Sequence, residues 1–100
     1  MPAYDALNLP PQIRNKPANE VLRAAVLNGE LHISLRRGFA DPAAWGLLFV
    51  EAARHVARAY AHEKMFSEQD AMERIRQTFE DAIRQPAEGV SKTTEFIDPT

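Results

Sequence analysis

The sequence predicts an α+β domain. An antiparallel β-hairpin at about 21–27 and 30–36 is followed by two antiparallel α-helices at about 42–63 and 68–84, packed on the hairpin's apolar face. Three observations predict it. Asn28-Gly29 separates two alternating apolar runs, Asp41-Pro42 precedes a long segment of helical periodicity, and Ser67 opens a second one.

Asn-Gly between apolar runs favours a type I′ turn, which needs positive φ at both central positions. A two-residue loop sets Leu27 opposite Glu30, Val26 opposite Leu31, Ala24 opposite Ile33 and Leu22 opposite Leu35. One face then carries Leu22, Ala24, Val26, Leu31, Ile33 and Leu35. The other carries Arg23, Ala25, Leu27, Glu30, His32, Ser34 and Arg36. Turn chemistry and alternation give the same register. Two strands alone are marginal in water, so the apolar face needs a cover.

The helices supply one. Asp is a preferred N-cap and Pro a preferred first helical residue, so Asp41-Pro42 starts the first helix. Trp45, Leu48, Phe49, Ala52, Val56, Ala59 and Tyr60 share one face at 3.6-residue spacing, with Glu51, Arg54, His55, Arg58 and His62 opposite. Leu47 and Val50 lie off that stripe and enlarge the apolar surface, which makes them interface candidates. Ser67-Glu68-Gln69-Asp70 resembles a capping box with Asp in the last place, and Phe66 with Ala71 forms a weak staple. The second helix turns Met72, Ile75, Phe79, Ala82 and Ile83 inward and ends before Pro86. The link of about three residues favours an antiparallel pair.

Residues 1–19 hold four of the seven prolines and read as an N-terminal arm; 20–85 form a single domain. Residues 86–100 lack clear periodicity and read as a disordered tail. Thr93–Ile97 favours extended structure, with only weak alternation. The domain is small, and cysteine, which would staple it, is absent. The hairpin's two open edges and the surplus helix surface therefore point to a homodimer or another protein partner.

Composition removes several classes. The 12 Lys and Arg against 14 Asp and Glu give a net charge of −2, with no basic nucleic-acid motif. Neither a signal peptide nor an apolar run approaching the ~18 residues of a membrane span is present, so a cytoplasmic protein is expected. His55 and His62 lie seven residues apart on one helix, too far for one metal ion, and Glu51 with His55 supplies only two ligands. The expected contact there is Glu51 with His55, four residues apart. No cofactor is expected.

Arg23, His32, Ser34 and Arg36 share the polar face of the hairpin and form the candidate binding cluster, suited to an anion or carboxylate. The same residues also make an ordinary solvated sheet face. No nucleophile, base and orienting acid come together, so an enzyme is not expected. Gly46 in a helix interior costs about 1 kcal/mol against alanine, which a close approach by the hairpin would explain. Two functions follow. One is a self-associating or protein-interaction module, and the alternative is a small-molecule or anion binder.

Glu20-Val21-Leu22-Arg23-Ala24-Ala25, Leu31-His32-Ile33-Ser34-Leu35-Arg36-Arg37, Asp41-Pro42-Ala43-Ala44-Trp45-Gly46 and Ala53-Arg54-His55-Val56-Ala57-Arg58 resemble a family of short bacterial proteins of unknown function, found chiefly in alphaproteobacteria. The resemblance spans about residues 4–84. It implies a stand-alone cytoplasmic bacterial domain and brings no catalytic residue, cofactor or partner with it.

Overall fold

Asn28 and Gly29, at φ 53° and 77°, turn the chain between strand β1 (Leu22–Leu27) and strand β2 (Glu30–Arg36). The computed structural model describes residues 4–85 and the backbone of residues 92–97. Within it the antiparallel register runs from Leu22 opposite Leu35 to Leu27 opposite Glu30, as the turn predicts. Both central positions take the left-handed geometry that the Asn-Gly pair tolerates.

The chain leaves β2 at Gly38, whose φ is 70°. A Cβ at this position would come within 2.9 Å of Val21 Cγ1, so only glycine fits. Asp41 Oδ1 accepts from the Ala43 amide at 2.9 Å and caps helix α1 (Ala43–His62). In its first turn the Trp45 indole donates to the Arg37 carbonyl at 2.8 Å, and its ring meets Phe39 edge-on, with centroids 5.5 Å apart. This aromatic corner ties the start of α1 to the end of β2.

Helix α1 ends in a Schellman turn. The Met65 amide donates to the Tyr60 carbonyl and the Lys64 amide to Ala61, with Lys64 at φ 60° in the position glycine usually takes. Helix α2 (Glu68–Ile83) follows, capped by the Ser67 hydroxyl, which accepts from the Asp70 amide at 3.0 Å. Half of the expected capping box is thus formed.

A third strand, β3 (Lys92–Ile97), lies within the tail that reads as disordered. It pairs parallel to β2, His32 with Lys92 through Arg36 with Ile97, across an irregularity at Ile33/Ser34. The strand order is β1-β2-β3. Local pattern is a poor guide here, because the ordering comes from the ladder that the free edge of β2 offers and not from alternation within the segment. Pro86, Gly89 and the remainder of that tail, like residues 1–3 of the arm, lie outside the described residues.

Packing is lighter than the periodicity predicts. Among the described residues only Ala57 and Ala71 are buried, one on each helix, with Met72 and Ile75 half-buried beside them. The helices therefore meet at alanines near their connection, where small side chains let two backbones approach. Phe49, Val56 and Tyr60 on the expected inward stripe of α1 are exposed, as are Phe79, Ala82 and Ile83 on α2. The helices do not cover the sheet: among the described residues neither α1 nor α2 contacts a strand, so the expected packing of the helix pair on the hairpin's apolar face is not formed. Leu31, Ile33 and Leu35 are half-buried, while Val26 at the turn end is 73% exposed. Gly46 is not approached by the hairpin: nothing lies within 4 Å of a Cβ built there. Among the described residues, no helix is long and apolar enough to cross a membrane.

Candidate functional site

Two surfaces have the chemistry to bind something. The first is the polar sheet face, where pairing sets Arg23 opposite Ser34 and Ala25 opposite His32. These four residues and Tyr4 of the arm line an open cavity of about 350 Å³. Arg36, the fourth residue of the predicted cluster, is not part of this lining; its amide bonds the Val21 carbonyl instead. The cavity is not strongly cationic. Glu20 lies 3.0 Å from the Arg23 guanidinium, and its hydrogen bond and charge raise the arginine pKa further. Glu30 sits 4.0 Å from His32 Nε2. An incoming anion would compete with both carboxylates. Tyr4 escapes sequence reasoning because it reaches the face from a separate segment. Glu20 could have been flagged, since it stands three residues before Arg23.

The second surface is on the helix pair. Its two sides differ in kind. One carries Arg54, Arg58, Glu68, Glu73 and Arg76 around an open polar groove. Arg54 pairs with Glu51 at 2.8 Å, Arg58 with Glu68 at 3.7 Å, and Arg76 with both Glu73 and Glu80. Arg76 holds the Glu73 carboxyl below its usual range through their hydrogen bond. Glu51 thus turns to Arg54 and not to His55. Among the described residues, no group of three His, Cys, Asp or Glu could hold a metal ion.

The other side is a groove of about 420 Å³ with an apolar floor of Tyr60, Phe66, Ile75 and Phe79. The Tyr60 and Phe66 rings meet edge-on at 5.8 Å, so Phe66 finds its main ring partner across the connection. Arg74 stacks over Phe66, 4.8 Å from the ring centroid. Leu47 and Val50, the predicted interface residues, stand further along α1 at 70% and 41% exposure. The sequence marks Phe66 only as the residue before a helix cap, and nothing local shows it joining Phe79 in one groove.

The family model for a domain of unknown function, DUF5076, matches residues 6–87. The chain belongs to this family. A solved structure from the photosynthetic bacterium Rhodopseudomonas palustrus, provisionally named a pyruvate dehydrogenase, is similar at 43% identity and a TM-score of 0.73. The match covers 94% of this chain and 97% of that one. No curated protein matches.

Proposed function

We propose that this DUF5076 protein is a non-catalytic, self-associating module whose two-copy form completes the core that one copy lacks. The observation that carries this is surface area. A compact monomer of 11.2 kDa exposes about 5,700 Å², whereas this chain exposes 9065 Å². The radius of gyration is likewise 15.5 Å, against about 13 Å for 100 compact residues. The excess, about 3,400 Å² on one chain, is larger than the roughly 800 Å² per partner of a standard interface and than the roughly 1,000–2,500 Å² per partner of obligate dimers.

Position adds to area. The helices are in contact near their connection, while Phe49 and Val50 on α1 and Phe79 and Ile83 on α2 stand exposed beyond it. A second helix pair laid on these residues makes a four-helix bundle, the usual way to bury two such stripes. What supports self-association is the surface of this chain, not the activity ascribed to the similar structure. A cysteine-free chain suits the reducing cytoplasm, where we place it.

Sedimentation equilibrium across a wide concentration range tests the proposal. A dimer is expected, and Ile83→Asp, at a position 68% exposed in the single chain, should shift it to monomer without unfolding it. A monomer at the highest concentration overturns it. The alternative, an anion bound between Arg23, His32 and Ser34, is weaker because Glu20 and Glu30 already face the cations. Inorganic phosphate that moves the amide signals of these three residues would favour it.

A further inference from the structure

We infer that the N-terminal arm of one copy docks in the apolar groove of the second, with Leu7 on the aromatic floor and Asp5 against Arg74. This rests on the self-association proposed above and names the segment that reaches across.

The arm has a definite shape. A 3-10 turn at Pro11–Ile13 follows Pro10, the Ile13 amide donates to the Pro10 carbonyl at 3.1 Å, and the Arg14 guanidinium donates to the Leu9 carbonyl at 3.1 Å. Tyr4 rests in the cavity on the sheet's polar face. Between these two anchors Leu7 is 97% exposed, so its own chain gives it almost no contact. A leucine held out on a short stretch fixed at both ends loses less conformational freedom on docking than one on a free tail, which lowers the cost of binding.

The groove is complementary to such a segment. Its floor is aromatic and aliphatic, and one cation stands over it. Arg54, Arg58 and Arg76 of the two helices each pair with a carboxylate, but no ion pair forms at Arg74 among the described residues. Asp5 likewise has no ion-pair partner among them. In an extended run, residues 5, 7 and 9 share one side. An acidic residue followed by two leucines at that spacing matches a cation beside an apolar trough. The matched family domain begins at residue 6, so most of this arm belongs to the domain.

Absence of cysteine makes disulfide trapping unambiguous. Chains carrying Leu7→Cys are mixed with chains carrying Thr78→Cys, at an exposed position in the groove, and oxidised gently. A cross-linked pair is expected, whereas Leu7→Cys with Gln69→Cys, in the polar groove opposite, should give none. Asp5→Lys should lower the cross-linked yield several-fold, and adding Arg74→Glu on the second chain should restore it. Sedimentation of the unmodified protein runs alongside. A dimer without the Leu7–Thr78 link overturns the arm docking and leaves self-association standing; a monomer overturns both. Equal cross-linking at Thr78 and Gln69 overturns the docking as unspecific. So does a bridge formed only within a single chain carrying both Leu7→Cys and Thr78→Cys.

Discussion

Replacing Gly46 by alanine probes how far the helix contact extends. Gly46 lies within α1, eleven residues before Ala57, on the side of the helix that meets α2 near the connection. If that contact ran the whole length of α1, a glycine here would let the second backbone approach. Nothing lies within 4 Å of the added Cβ, so the substitution removes a flexible residue from a helix interior at no steric cost. The gain is about 1 kcal/mol, which raises the Tm of a domain this size by about 4–8 °C. Thermal unfolding followed by circular dichroism measures it. Both proteins must be compared at one concentration, since the melting of an associating protein depends on it. A lower Tm at a concentration where the protein is monomeric would refute the reasoning. A lower Tm seen only where the protein associates would instead place the backbone of the second copy over Gly46, which shares a helix face with Phe49 and Val50.

Three further outcomes are expected. Lys64→Gly should stabilise the protein by about 1 kcal/mol, because Lys64 holds φ 60° in a turn that glycine enters freely; urea unfolding reads it. Ser67→Ala should cost about 1 kcal/mol by leaving the Asp70 amide without its cap, visible in the same experiment. The Glu73 carboxyl is held below its usual range by Arg76, so its contribution is full above the unfolded pKa of about 4.3 and fades as pH falls through the lower folded value. Below pH 4 the melting temperature should thus fall less steeply for Arg76→Ala than for the unmodified chain.

The hairpin was legible because two independent signals coincide within fifteen residues: Asn28-Gly29 fixes the turn and the alternation fixes the faces. The helix starts were legible for the same local reason, through Asp41 and Ser67. Which side of each helix is covered was not. Periodicity weights a position by its side chain, so it favours Phe49 and Phe79, yet the helices meet at Ala57 and Ala71, where smallness matters more than hydrophobicity. β3 was hidden because its partner lies some sixty residues earlier, and no pattern within Lys92–Ile97 encodes that edge. At the candidate site, Arg23, His32 and Ser34 were legible from strand alternation alone. Tyr4, which completes their cavity, was not, since only the fold brings the arm to that face. Gly46 shows the opposite error, an explanation sought in a neighbour that the structure does not supply.

The parallel seat of β3 also constrains the order of assembly. β1 and β2 need only a two-residue turn to pair, whereas β3 closes a loop containing both helices and is synthesised after everything it touches. Throughout that interval the outer ladder of β2 is an unsatisfied row of amides and carbonyls on a growing chain. A nascent or proteolysed polypeptide stopping short of residue 92 would keep that row exposed and recruit strands from its neighbours. Biogenesis and aggregation of this protein therefore hinge on six residues far from its helices.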